Sequence, residues 1–275
     1  MANYTAADVK ALRERSGAGM MDCKGALDEA NGDLEKAYEL LRLKGLKGVS
    51  KREGRTTSNG LIVARVSGGT GTLIELACET DFVAKADNFV TLADKVADAI
   101  VAAGATDVES ALAAPHGSAT VADAITDQAA ILGEKVELRK VQTVSAGAVD
   151  AYLHRTSRDL PPQVGVLLAY DGADADTAHD VAVHIAAFSP TYLSREDVPA
   201  EIVAKEREIA EETARNEGKP EAALAKIVEG RVNGFFKETC LLDQDFAKDN
   251  KFSVAKVLEN AGLKVTGFLR FRVGA

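Results

Sequence analysis

Leu61-Ile-Val-Ala-Arg-Val66 and Thr72-Leu-Ile-Glu-Leu-Ala-Cys78, joined by Ser67-Gly-Gly-Thr-Gly71, decide the fold. Both arms are short and rich in aliphatic and β-branched side chains, and the joint is rich in glycine, so the stretch reads as a β-hairpin. A helix follows, with Phe89, Leu92, Ala93, Val96 and Ile100 on one stripe. A second helix fits Val121–Leu132. Strands are then expected over Val136–Val144 and Val149–His154, and a buried one over Val164–Tyr170. Asp176–Ala187 reads as helical, with Pro190 just beyond it, and Lys264–Val273 alternates and closes a sheet. The sheet–helix pattern recurs loosely between about 60–135 and 140–190, which suggests two related α+β halves.

Upstream of the hairpin, residues 5–44 read as three short helices. Thr5 with Asp8 makes a capping pattern, Gly17-Ala-Gly19 stops the first helix, and a second runs from about Asp22 to Asn31-Gly32. Asp33 caps the third, which carries Leu34, Ala37, Tyr38 and Leu41 on one face. The loop at 17–21 presents Met20 and Met21, a residue type that serves both cores and adaptable binding surfaces. The basic run Arg42–Arg55 is punctuated by glycine and reads as a solvated linker. Residues 200–236 differ from the rest. Ile202, Val203, Ile209, Ala210 and Ala214 form a narrow seam, Asn216-Glu-Gly-Lys-Pro220 turns the chain, and Leu224, Ile227, Val228, Arg231 and Phe235 make the return stripe. That pattern is a helical hairpin of antiparallel coiled-coil type.

A chain of 275 residues suits two or three compact units. Its net charge of −9 is unevenly spread: residues 1–55 hold 11 Lys/Arg against 9 Asp/Glu, and the remainder 22 against 33. An acidic body loses the counterion-release term, and 5% aromatic residues without tryptophan supply stacking platforms poorly, so no nucleic-acid partner is expected. No leader pattern and no run of eighteen apolar residues is present, and three scattered cysteines (Cys23, Cys78, Cys240) make no framework, so a reducing cytoplasm is expected.

The catalytic inventory is thin. His116, His154, His179 and His184 show no metal-binding spacing, no GxSxG elbow occurs, and neither Gly45–Lys51 nor Gly68–Gly71 has the order of a phosphate loop. Glu211-Glu212 reads as a solvated helix face. No cofactor or metal is therefore expected, and Cys78 at the end of an apolar strand reads as an inert thiol. The most unusual segment is Cys78-Glu-Thr-Asp-Phe-Val-Ala-Lys-Ala-Asp-Asn-Phe89. On spacing alone, Thr80 or Asp81 caps a helical turn and Phe82 and Val83 pack as core or staple residues. The other reading puts the acid and the aromatic at the tip of a strand-to-helix loop, presented to a partner by a rigid scaffold.

Four segments then resemble one family in order along the chain. Arg13–Lys24 with Ala26-Leu27 and Ala30–Asp33 resembles the N-terminal signature of the elongation factor Ts family. Thr80-Asp-Phe-Val-Ala-Lys85 resembles its TDFVAK segment, Gly218-Lys-Pro220 and Val228–Arg231 its hairpin, and Val265–Phe271 its closing strand. The resemblance implies an α+β fold with a ubiquitin-associated-like three-helix module (1–55, with linker) and a dimerisation-type core in two subdomains (56–140 and 141–199). A coiled-coil insertion (200–236) and a segment completing the second subdomain (237–275) follow. It implies a non-enzymatic guanine-nucleotide exchange factor whose partner is the GTPase elongation factor Tu, and it allows a homodimer or a heterotetramer with that partner. The segment matching Thr80, Asp81, Phe82 and Val83 would wedge in near the GTPase magnesium site. The positions matching Met20, Met21 and Lys24 would dock on the nucleotide domain, and His154 would lie where the second subdomain grips another domain. Some relatives continue into a further helix beyond the point matching Val273-Gly-Ala275, so a lower total affinity is expected here. Two other readings stay open: an adaptor that binds helical partners through residues 1–55, and a cysteine-dependent enzyme built on Cys78.

Overall fold

The computed structural model of the chain describes residues 3–16 and 18–275. Helix α1 (Ala6–Ser16) starts at the expected cap: the Thr5 amide and hydroxyl donate to Asp8 Oδ2, and the Asp8 amide donates back to Thr5 Oγ1. The stop expected at Gly17 lies outside the described residues. Helix α2 (Met20–Glu29) ends at Asn31 and Gly32, both with positive φ. Asp33 Oδ1 then accepts from the Glu35 and Lys36 amides to open α3 (Leu34–Val49). Leu12, Cys23, Ala26, Leu27 and Ala37 form the thin core of this three-helix module.

Strands β1 (Asn59–Ser67) and β2 (Thr70–Cys78) pair with Ser67 opposite Thr70, which leaves only Gly68-Gly69 in the turn. Gly68 sits at φ +58°, a conformation that favours glycine. After β2 come α4 (Asp81–Ala84), α5 (Asp87–Ala103), α6 (Val108–Leu112), a minimal hairpin of β3 (Pro115–His116) and β4 (Ala119–Thr120), and α7 (Val121–Leu132). Strand β5 (Val136–Ser145) pairs antiparallel with the free edge of β2, giving the order β1-β2-β5. One face of this sheet, with Leu61, Val63, Ile74 and Leu76, packs on Phe89, Val96 and Ile100 of α5 and Val121 and Ile125 of α7.

The second half repeats the plan. Strands β6 (Ala148–His154) and β7 (Val164–Asp171) are followed by α8 (Ala175–Phe188), the helical hairpin α9 (Ala200–Asn216) and α10 (Glu221–Thr239), α11 (Val254–Asn260) and β8 (Lys264–Arg272). The antiparallel order is β6-β7-β8, and Val166 and Leu168 pack against Val181 and Ile185 of α8 and Val254 and Leu258 of α11. The two sheets meet through their remaining faces, where Ile62 and Leu73 contact Leu167 and Phe271. The result is a helix–sheet–sheet–helix stack of α+β class. The approach depends on two glycines on the central strands. A Cβ at Gly165 would lie 2.4 Å from Ile62 Cγ2, and one at Gly71 would lie 2.7 Å from Val149 Cγ1.

The structure corrects two expectations. The run Arg42–Arg55 is not a solvated linker: α3 carries it to Val49, and a 3₁₀ turn follows over Ser50–Arg52. Arg42 pairs with Asp127 of α7, Arg52 Nη1 donates to the Ala129 carbonyl at 3.4 Å, and Val49 packs on the first core. Gly45 lies so close to α7 that a Cβ there would be 2.4 Å from the Ala130 carbonyl oxygen. The glycine is a helix–helix contact rather than punctuation. In the helical hairpin, Val203, Ala210, Val228, Val232 and Phe236 form the seam, whereas Ile202 and Ile209 are exposed. Its base is fixed to the body, with Arg195 donating to Asp243 and Asn233 and lying over Phe236 at 4.8 Å.

Glu137 on β5 ties the segment before β1 to the first sheet. It accepts from Thr57 Oγ1 and from Arg139 Nη2, and pairs with Lys135 at 2.8 Å. Burial alone would raise its pKa, but the donors from Lys135, Thr57 and Arg139 outweigh burial and pull it from 4.5 to about 2. A carboxylate depressed in the folded state contributes stability that is present above about pH 4.5 and lost as the pH falls toward 2. Glu137→Gln is accordingly expected to flatten the acid limb of the denaturant midpoint measured between about pH 6 and pH 3. Gly165→Ala is expected to cost about 1–3 kcal/mol in chemical denaturation, because Ile62 and Leu73 must move to admit the methyl group.

Candidate partner-docking site

Strand β2 delivers the chain to a turn that is tied down on both sides. Thr80 takes the N-cap position of α4, with its Oγ1 accepting from the Val83 amide at 3.4 Å. The same residue is gripped from the loop after α7. Its amide donates to Glu134 Oε2 at 3.0 Å and its hydroxyl donates to Glu134 Oε1 at 2.6 Å. The grip is returned: Glu79 Oε1 accepts from the Lys135 amide at 2.6 Å, and Glu79 pairs with Arg55 at 3.1 Å.

Of the four residues expected at this turn, the structure sends two inward or into the cap and two outward. Val83 and Ala84 are buried in the first core. In a single helical turn the residue before them must then point away from the sheet, and Phe82 is 73% exposed. The packing account on spacing alone therefore holds for Val83 and fails for Phe82. Lys85 covers the outward pair: its Nζ lies 3.3 Å from Asp81 Oδ2 and 4.6 Å from the Phe82 ring centroid.

Met20, Met21 and Lys24 share the outward side of α2, because Cys23, Ala26 and Leu27 turn into the module core. The two methionines are 59% and 76% exposed. With Tyr4, Ala6, Val9, Lys10 and Arg13 these residues line a groove of about 520 Å³ that combines apolar side chains with three cationic ones. His154 is exposed at the end of β6, its Nδ1 3.1 Å from Tyr152 Oη. The structure thus places the expected residues on three separate elements, α2, α4 with its cap, and β6. His184, by contrast, is a core residue: its Nε2 lies 2.9 Å from Gln244 Oε1 and its Nδ1 accepts from the Ala247 amide.

Cys78 is fully buried at the root of the turn. Burial, followed by the charges of Glu134, Glu79 and Asp81, pushes its thiol up to about 12. A thiolate nucleophile needs exposure and an electropositive setting; Cys78 has neither, and the cysteine-enzyme reading falls. Among the described residues no group of three or more His, Cys, Asp or Glu is arranged to hold a metal, and no helix is long and apolar enough to cross a membrane.

A family profile described as Elongation factor TS matches residues 79–275. The chain is 64% identical over 277 residues to elongation factor Ts of Micrococcus luteus, with both chains covered in full. It is 63% identical over 278 residues to that of Arthrobacter sp. (strain FB24), and 63% over 275 to that of Clavibacter michiganensis subsp. michiganensis, again in full. The chain belongs to the elongation factor Ts family. It is a translation elongation factor of protein biosynthesis. The elongation factor Ts profile begins at Glu79, one residue before the Thr80 cap, and takes in the exposed turn, the second sheet and the helical hairpin. The three-helix module is covered by the full-length relatives.

Sequence reading missed the residues that hold the turn. Lys85 was readable in principle, as an i,i+4 partner for Asp81. Glu134 was not, because 54 residues separate it from Thr80. Phe82→Ala is expected to leave the unfolding free energy within about 0.5 kcal/mol of the parent, while Val83→Ala costs roughly 1–2 kcal/mol. Thermal unfolding of the two variants measures this, and the opposite order would make Phe82 the core residue.

Proposed function

We propose that the chain is a guanine-nucleotide exchange factor that binds elongation factor Tu–GDP, disturbs its magnesium and phosphate site, and so promotes GDP release and GTP rebinding. The observation that carries this reading is a large exposed aromatic on a turn whose neighbours are buried or tied. Asp81 and Phe82 make the intrusion. Thr80 and Val83 fix it from beneath, with one capping the turn and the other anchored in the core. Met20, Met21 and Lys24 dock the three-helix module, read as ubiquitin-associated-like, on the nucleotide domain. His154 contributes to a grip on another domain of the partner. The hairpin α9–α10 is read as an antiparallel coiled coil, and the protein works in the cytoplasm.

No covalent chemistry is needed. GDP with magnesium and the exchange factor favour different arrangements of the GTPase, so each weakens the other's binding by the same factor. Moving a population from mostly bound to mostly released takes about 5.5 kcal/mol of differential binding. Burying one phenylalanine side chain supplies roughly 2 kcal/mol, which makes several docking sites necessary and fits residues spread over three elements.

Release of a fluorescent GDP from elongation factor Tu, followed by stopped flow at fixed magnesium, tests the reading. Acceleration by the parent chain is expected, and Phe82→Ala should lower it roughly 30-fold if the full 2 kcal/mol is differential. Binding without acceleration would leave an adaptor that engages partners through the groove at Met20 and Met21.

A further inference from the structure

Glu134 lies 54 residues beyond Thr80 in sequence, yet it holds the turn from which Phe82 projects. We infer that Glu134 is a positioning residue for nucleotide exchange: it keeps the Thr80 cap formed, so that Asp81 and Phe82 meet the partner already arranged. The inference rests on the wedge reading above and adds to it a residue from a distant part of the chain.

The geometry is specific. Glu134 spends both carboxylate oxygens on one residue, Oε2 on the Thr80 amide at 3.0 Å and Oε1 on the Thr80 hydroxyl at 2.6 Å. Donating that hydroxyl proton leaves the Thr80 oxygen lone pairs facing the Val83 amide, the capping bond of α4. Glu134 therefore selects the hydroxyl orientation that caps the helix. The partner strand of the clasp runs the other way, from the Lys135 amide to Glu79. Together the two carboxylates join the loop after β2 to the loop before β5 at adjacent positions. A four-residue helix cannot sustain itself in water, where nucleation is unfavourable. The turn has Val83 and Ala84 for its inward side. Its amino end, from which Asp81 and Phe82 project, has the clasp. Glu134 is half-buried and, among the described residues, forms no ion pair, so these donors are what its charge is turned toward.

A positioning role changes the fraction of molecules with a competent turn. If loss of the clasp lowers that fraction to about a tenth, the concentration for half-maximal acceleration rises about ten-fold while the limiting rate is kept. Glu134→Ala is expected to show that split in stopped-flow titrations of the full chain against elongation factor Tu with fluorescent GDP. Glu134→Gln should recover most of it, since the amide can accept from the Thr80 N–H and donate to its hydroxyl oxygen. In a Phe82→Ala background, Glu134→Ala should add less than about two-fold, because the two residues act through one element. An unchanged half-maximal concentration in Glu134→Ala, or an effect that multiplies fully with that of Phe82→Ala, would overturn the role of Glu134. Should Glu134→Ala fail to fold, Glu134→Asp, one methylene shorter, pulls the carboxylate back from the Thr80 amide and hydroxyl while leaving the cap residue itself intact, and must raise the half-maximal concentration in the same way. Phe82→Ala by itself separates the two levels: no effect of that variant defeats the wedge reading, whereas an effect there with none in Glu134→Ala defeats only the clasp.

Discussion

Everything in the core follows from how closely two three-stranded sheets approach each other. β2 and β7 are the central strands, each covered by helices on one face and by the other sheet on the second. Gly71 and Gly165 make room for the contact, since a side chain at either would collide with Val149 or with Ile62 and Leu73. A strand covered on both faces must be apolar on both, which is why β2 reads as nearly continuous hydrophobic sequence rather than as alternation. The one charge it keeps, Glu75, is fully buried and meets Arg139, Lys140 and the Gly274 amide at 3.3–3.5 Å.

That rigid stack fixes where the exposed turn sits. β2 is held by β1 and β5 along its whole length, so the residues after Cys78 leave the sheet at a fixed place. Val83 and Ala84 fold back into the core, and the clasp of Glu79 and Glu134 fixes the amino side. An aromatic presented this way loses little conformational freedom on binding, so more of its burial appears as affinity. α3 extends the same logic to the three-helix module. It lies on α7 through Arg42 and Gly45 and packs Val49 on the first core, so the module whose first two helices line the groove at Met20 and Met21 is seated on that core.

The sequence made the long periodic elements legible, and the reasons are local. The Phe89–Ile100 stripe, the Thr5 and Asp33 caps and the Gly68-Gly69 turn each announce themselves within a few residues. Errors arose where a distant element decided the outcome. Glycines in the run after Arg42 look like linker punctuation until α7 is seen against Gly45. Ile202 and Ile209 share seam spacing with Val203 and Ala210, yet only the latter pair packs in the cluster between the two helices. Short elements such as α6, the β3–β4 hairpin and α11 are too brief for periodicity to register. At the turn, spacing treated Phe82 and Val83 alike, and only the direction of α4 relative to β2 separates them. The candidate site residues came from the resemblance, while the clasp at Thr80 depends on contacts across more than fifty residues of sequence.

Under the proposed function, this chain prefers one nucleotide state of elongation factor Tu over another. Isothermal titration of the full chain into elongation factor Tu, once loaded with GDP and magnesium and once stripped of both, measures that preference directly. Tighter binding to the stripped form by a factor on the order of 10⁴ is expected, the equivalent of the roughly 5.5 kcal/mol of differential binding that moves the partner from mostly bound to mostly released. Equal affinities for the two forms would contradict exchange by linkage and leave a protein that binds the GTPase without altering its nucleotide.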